Sequence, residues 1–387
     1  MRGKISLEMC NKIERIHSLD SLRAIMMLLG LVLHSTETYL VNDNQPWPKD
    51  FLYTSSLLGY LENIIHMFRM PIFFLLAGFF GALLFYQKGL LNMVKNRISR
   101  IAFPFIVFLF LLYPITQFSL DYSKAVFSGD KDAFEHTTSN FSAFVPETTL
   151  HLWFLYYLMM ISFIMVLLAL LFKKIPNLTK RIQQSFSWIF QRPFLRTILL
   201  AISTFALLII LWNLSGPTPL SFRPSLEAFI YYFFFYSVGW ILYKCRDFLV
   251  SFMKYDWLNV IVAIILFTLA YIFSNDLDDI LRGVLSAFII SLFVFGITGL
   301  FIRYFSSFSQ RMRYISDSSY WIYLIHLPFT IIIPGLIASL ELHAIGKFLI
   351  TLILTTTISI TSYHYLVRST FIGKFLNGRT YSKNQIT

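Results

Sequence analysis

Apolar residues fall in ten long runs, and short polar stretches divide them. The runs lie near 20–40, 58–86, 101–119, 150–172, 196–214, 225–243, 257–273, 283–302, 319–340 and 345–366. Each is close to or above the roughly 17–25 residues that a helix needs to cross a bilayer. None alternates with period two, so the runs do not read as β-barrel strands. The predicted fold is all-α: one polytopic membrane domain of about ten spans over residues 1–387. The second run is too long for one straight span, and Pro71 within it predicts a kink.

Composition strengthens this picture. The 387 residues are 57% hydrophobic and only 13% charged, with mean hydropathy +0.66. A soluble domain carries about 25% charge, so a nucleic-acid module and an ordinary cytosolic enzyme are excluded. The net charge of +12 is unexpected in a lipid-embedded chain. Its distribution explains it. With the N-terminus placed in the cytoplasm, 24 of 32 basic residues fall in cytoplasmic segments, six fall outside, and Arg23 and Arg69 lie within spans. The alternation holds loop by loop, as the positive-inside rule requires, and puts both termini in the cytoplasm. The first run carries Asp20 and Arg23 and lacks a small-residue cleavage site, so it reads as an anchor rather than a cleaved signal. Cys10 and Cys245 both fall on the cytoplasmic side and lack metal spacing; neither a disulfide nor a resident metal is expected.

Two loops stand out. The outward segment 120–149 carries five acids against two lysines and reads as a solvated connector or an entrance cover. The cytoplasmic segment 173–195 is basic and reads as partly helical. Gly78/Gly81 and Gly296/Gly299 read as small-residue packing positions.

Charged groups inside spans are costly and functional by default. Span one reads Asp20, Arg23, ten residues, then His34. Eleven steps of about 100° return to nearly the same face, about 16 Å along the axis. Glu37 follows one turn later. Span two carries Glu62, His66 and Arg69, within about 60° of one another around the helix, with His66 at a depth similar to His34. The pair of spans thus offers two histidines, two glutamates and an arginine to one polar pocket. The plainer alternatives are structural. Asp20 is read as a helix N-cap with Arg23 as its i+3 partner, Glu62 as a counter-ion to Arg69, His151 as an interface residue, and His326 as a ring bonded to a neighbouring helix. Glu227 has no clear partner in the sequence.

Five blocks resemble the integral membrane acyltransferase family 3. They are LDSLRA followed by His34, FRMPIFFLLAGF (68–79), RISRIAFPF (97–105), HLWFLYYL (151–158) and SYWIYLIHLPF (319–329), all in the family's order. The wording around His34 and Arg69 is similar to the glucans biosynthesis C group of that family, which is associated with succinylation of osmoregulated periplasmic glucans. Spans five to eight match no motif. The resemblance implies a membrane enzyme of the bacterial inner membrane that passes an acyl group from cytoplasmic acyl-CoA to a hydroxyl on an extracytoplasmic glycan. No permanently bound cofactor is implied; succinyl-CoA or acetyl-CoA is the donor. Arg23 and His34 match the family's motif of a basic residue, ten residues and a histidine.

The chemistry then assigns expected roles. A hydroxyl needs a base to remove its proton; His34 is the candidate, tuned by Glu37 or Glu62. A developing oxyanion needs a fixed cation or donor, which Arg69 or His66 supplies. Arg23, Arg97 and Arg100 are expected to hold the CoA phosphates. His151, Trp153 and His326, from the matched blocks, are candidate substrate contacts. Direct transfer and an acyl-enzyme route are both open at this stage. The expected partners are acyl-CoA, a glycan and the bilayer, with no nucleic acid; a homodimer is compatible. The rival classes are a proton-coupled transporter, a non-catalytic scaffold, and an enzyme acetylating another envelope polysaccharide or lipid-linked sugar. Against a transporter, the two halves show no repeat and the polar residues cluster early rather than in matched positions.

Overall fold

The computed structural model describes residues 16–41, 47–211 and 218–377. Cys10, most of the N-terminal basic segment, and Arg379 and Lys383 lie outside them. The helices, in chain order, are α1 (His17–Thr36), α2 (Ser56–Lys88), α3 (Leu90–Arg97), α4 (Phe103–Phe127), α5 (Ala133–Asn140), α6 (Trp153–Lys173) and α7 (Pro176–Phe190). There follow α8 (Pro193–Ile210), α9 (Leu226–Lys244), α10 (Asp256–Ile272), α11 (Asp279–Tyr304), α12 (Gln310–Leu336), α13 (Ala344–Ser362) and α14 (Phe371–Asn377). Among the described residues there is no strand beyond one bridge between Thr148 and Ser221.

Nine of these segments are long and apolar enough to span a membrane. A bent pair, Arg246–Met253 with Asp256–Ile272 at 65°, makes a tenth. The ten predicted runs fall on these ten, so the chain is a multi-pass membrane protein. The third span is much longer than its apolar run, because α3 joins α4 through the π-turn Ile98–Ala102 and the helix extends from Leu90 to Phe127. Helix α2 continues through Pro71 without a break. Most of the segment 173–195 is the helix α7, and α5 occupies part of the outward loop.

Asp20 is not an N-cap. Helix α1 begins three residues earlier, at His17, which places Asp20 within the first turn, where an acid complements the helix dipole. Its carboxylate meets Arg23 at 3.1 Å. Glu227 occupies the equivalent first turn of α9, exposed.

Helix α2 is the most enclosed span and packs along α9. The contact is reciprocal between glycine and backbone. A methyl on Gly78 would strike the carbonyl of Tyr236, and one on Gly239 would strike the carbonyl of Leu75. Only hydrogen at these positions lets the two backbones approach so closely, the condition that favours small residues between membrane helices. Gly299 likewise sits against the carbonyl of Phe252. Neither backbone can yield as a flexible side chain would. Gly239→Leu is therefore expected to destabilise the folded protein by about 3 kcal/mol or more. A thermal unfolding midpoint in detergent equal to wild type would show that the contact is not needed.

Candidate active site

Two cavities meet inside the bundle. The larger, of about 600 Å³, opens at the end of the bundle formed by the start of α1, the end of α2 and the α3–α4 junction. Arg23, Lys88, Arg97 and Arg100 line it, with Asp20 and Asp317. Both acids are engaged, Asp20 with Arg23 and Asp317 with Arg313 at 3.0 Å. Arg23 lies over the Phe80 ring at 4.9 Å. Arg97 is held across α2, its Nη2 donating to the Ala77 carbonyl (3.3 Å) and to Tyr236 Oη (3.4 Å). Tyr320 donates to the Arg100 carbonyl at 2.7 Å and so anchors that backbone to α12.

The smaller cavity, of about 40 Å³, shares Met27, Phe73 and Phe154 with the larger one and lies deeper. Its polar lining is His34, His66, Arg69, His151, Thr218, Tyr323 and His326, with Trp153 beside them. Helices α1 and α2 thus bring His34, His66 and Arg69 together. The turn Leu150–Leu152 brings His151, and α12 brings Tyr323 and His326.

The imidazoles are set by backbone carbonyls. His151 Nε2 lies 3.0 Å from the Tyr323 carbonyl and 3.1 Å from that of Leu324. His326 Nδ1 lies 2.8 Å from the Tyr323 carbonyl and 3.1 Å from that of Ile322. A carbonyl only accepts, so each of these nitrogens carries the proton. The other nitrogens, His151 Nδ1 and His326 Nε2, are then bare, and both are buried without a partner, as is His34 Nδ1. The Leu324 carbonyl is available because residue 328 is proline, and proline has no N–H to donate back one turn. Tyr323 closes the link by donating its hydroxyl to the His151 carbonyl at 2.9 Å. The His326 ring stands 5.0 Å from His151 and 5.4 Å from His34.

Arg69 enters the cavity from α2. It makes a weak hydrogen bond to Met70 Sδ at 3.7 Å, and Nη1 is buried without a partner. Room for the guanidinium comes from Gly30 on α1, where a Cβ would stand 3.1 Å from Nη1. No carboxylate lines this cavity among the described residues. Glu62 instead faces His66, at 3.0 Å, and Glu37 joins those two with ligand-type atoms within 4.8 Å of one another. The acids therefore sit behind His66, and the immediate ring neighbours of His34 are His326 and Trp47.

Trp47, Gly30, Thr218 and Tyr323 were not picked out from the sequence. Trp47 stacks on His34 with ring centroids 5.9 Å apart and planes at 15°. Its segment is tied down on several sides. Trp47 Nε1 donates to Thr38 Oγ1 (3.0 Å), Lys49 Nζ to the Glu37 carbonyl (2.7 Å), and Asp50 N to the Thr38 carbonyl (3.0 Å). Asp50 also takes Lys347 Nζ of α13 at 2.8 Å, a fully buried pair that bridges distant parts of the chain. Only the proximity of two prolines to the histidine and arginine blocks, Pro328 and Pro71, gave a local signal for an irregular site.

This is a polar chamber inside an apolar helical bundle, adjoining a basic vestibule: a layout that suits a membrane enzyme. The family model described as "Acyltransferase domain", that of acyltransferase family 3, matches residues 16–364. The chain belongs to this family of membrane acyltransferases. Among curated proteins it is similar to the glucans biosynthesis protein C of Escherichia coli strain K12, of E. coli O6:K15:H31 strain 536 and of E. coli O1:K1 / APEC. Each is 30% identical over 166 residues, 42% of this chain and 40% of theirs. The aligned stretch is thus less than half of those relatives. No solved structure matches.

Two predictions follow from this geometry. Pro328→Ala restores an N–H facing the Leu324 carbonyl, which then competes with His151. The variant is expected to remain folded, since alanine favours a helix interior by about 3 kcal/mol over proline, yet to lose about tenfold or more in acyl transfer through a misplaced imidazole. Full activity would show that the released carbonyl is dispensable. Breaking the buried Asp50–Lys347 pair through Lys347→Met leaves a lone carboxylate and is expected to cost about 3–5 kcal/mol, most of it recovered in Lys347→Met/Asp50→Leu. A double variant as unstable as the single one would refute pairing as the reason.

Proposed function

We propose that this protein transfers a dicarboxylic acyl group, succinyl in particular, from acyl-CoA on the cytoplasmic side to a hydroxyl of an extracytoplasmic glycan. One observation carries the reading: a wide basic vestibule adjoins a small histidine chamber, and both are lined by Met27, Phe73 and Phe154. CoA is a large polyanion with a long, thin pantetheine arm. Arg23, Arg97, Arg100 and Lys88 suit its phosphates, and the shared lining suits the arm with its thioester. The axial distance from Arg23 to His34, about 16 Å along one helix, is bridged by that arm. The loop-by-loop excess of lysine and arginine supports a cytoplasmic vestibule and cytoplasmic termini, as in a bacterial inner membrane.

In the chamber, His34 is the base for the acceptor hydroxyl. The hydroxyl oxygen attacks the thioester carbonyl carbon, its proton passes to the imidazole, the C–S bond breaks, and the thiolate leaving group takes the proton back. His326 Nε2 and His151 Nδ1, held bare by the carbonyls, add two further acceptors within the same cavity. Arg69 is the fixed cation available to the oxyanion. Its lack of a carboxylate also bears on the acyl group. A buried guanidinium without an anion is costly, and a donor whose acyl tail ends in a carboxylate supplies one on binding. Acetyl does not. The names of the glucan biosynthesis relatives favour a glucan as acceptor.

Purified protein in liposomes with labelled succinyl-CoA or acetyl-CoA tests this directly. Release of CoA with label on added glucan is expected, with succinyl preferred; a carrier would move label without cleaving the thioester. Mass spectrometry of envelope glycans with and without the gene identifies the acceptor by a succinate increment. An acetate increment would overturn the choice of acyl group. His34→Ala is expected to lower transfer by about 10²–10⁴-fold while the protein stays folded. Arg69→Gln is expected to slow both donors and to abolish the preference for succinyl. An intact preference would place the acyl carboxylate elsewhere.

A further inference from the structure

Trp47 sits where no motif assigns a role, and its contacts do more than pack a loop. Its indole is near-parallel to the His34 ring at 5.9 Å, within the roughly 6 Å over which an aromatic face stabilises a cation. It also packs against Tyr113, Leu150, Leu327 and Ile331, an apolar cluster beside the turn that holds His151. The segment that carries it is anchored by the bonds from Trp47, Lys49 and Asp50 to residues 37–38, and by the buried Lys347 pair. A half-buried indole in a surface loop has no need of such anchoring for packing alone. These ties fix the ring over one particular imidazole.

We propose that Trp47 is a positioning residue that seals His34 from outside water and fixes its ring, so that the acyl group goes to the acceptor hydroxyl rather than to water. The inference rests on the acyl-transfer reading above. The competing reaction is specific. Water, activated by the same base, attacks the thioester carbonyl carbon; a C–O bond forms, the C–S bond breaks, the free carboxylic acid leaves and the CoA sulfur takes the proton. His34 cannot distinguish water from an alcohol by chemistry, so the choice must come from access. Trp47 covers the imidazole with an apolar face, and water excluded from a closed site cannot intercept the acyl group. The same face stabilises the imidazolium that forms as His34 takes the acceptor's proton.

The test is the partition of acyl groups between acceptor and water, measured on the full-length protein in liposomes with labelled succinyl-CoA and glucan. CoA thiol, free succinate and glucan-bound succinate are counted in the same reaction. Trp47→Ala is expected to raise the ratio of hydrolysed to transferred label about tenfold, with a lower kcat for transfer and an unchanged KM for succinyl-CoA. Trp47→Phe, which keeps an aromatic face, is expected to fall between. If Trp47→Ala does not accumulate in the membrane, Trp47→Leu and Trp47→Phe replace it: both keep the site apolar, and only Phe keeps a ring. A partition ratio equal to wild type in Leu and Phe variants, with transfer merely slower or intact, overturns the sealing role. Wild-type protein that cleaves no thioester overturns the functional reading instead, which the thiol count alone reveals.

Discussion

Proline 328 removes one N–H from the middle of a membrane helix, and the histidine cluster is built on the carbonyl that this leaves free. In lipid an unpaired backbone carbonyl is expensive, so something must bond to it. Here the partner is the His151 ring, whose Nε2–H reaches the carbonyls of Tyr323 and Leu324. That bond fixes the protonated nitrogen of His151, and the carbonyls one turn earlier do the same for His326. Each imidazole is thereby left with a lone pair free inside a closed cavity. A defect in one helix becomes a set of oriented bases, without any carboxylate to orient them.

Charge pairing separates Arg69 from the other buried cations among the described residues. Arg303 meets Asp256 at 2.7 Å, Arg313 meets Asp317, and Lys347 meets Asp50. Arg196 has no carboxylate, but it donates to the Phe190 carbonyl and to both oxygens of Ser251, and stacks on Phe252 and Phe295. The first and third pairs join separate segments, the second lies within α12, and each of these cations donates to protein oxygens. Arg69 differs: it is buried, faces the histidine chamber and has no oxygen acceptor among the described residues, its weak hydrogen bond going to Met70 Sδ. Evolving such a group for stability makes no sense, because an apolar residue would serve better. Its place in the chamber has a physical rationale only when an anion arrives.

Much of this was legible in the sequence, and the limits are physical. The spans were readable because a bilayer imposes their length, which acts on local sequence. The alignment of His34 above Arg23 followed from helix period alone. What surrounds His34 did not, since His326 lies 292 positions further along and reaches it only through packing of α12 on α1. Glu62 and Arg69 are seven residues apart and seemed natural counter-ions, yet His66, one turn from Glu62, takes the carboxylate first. Trp47 sits in a loop without periodicity, so no pattern pointed to it. Pro328 was visible throughout, but a proline in a membrane span signals only an irregularity. Which ring would exploit it depends on a turn 173 residues before the freed carbonyl.

The two adjoining cavities suit the proposed reaction, in which donor and acceptor would come from opposite sides of a membrane. Moving CoA itself across the bilayer would require its phosphates to leave the basic vestibule and enter a low-dielectric interior, at a cost of several kcal/mol per charge. The shared lining, Met27, Phe73 and Phe154, offers those charges nothing. On the proposed reading, a thin arm bearing a thioester pays no such cost, so the reactive end alone would enter the chamber. A proposed acyl carboxylate would travel with it, and Arg69, which lines a chamber that has no carboxylate among the described residues, is the group positioned to meet it.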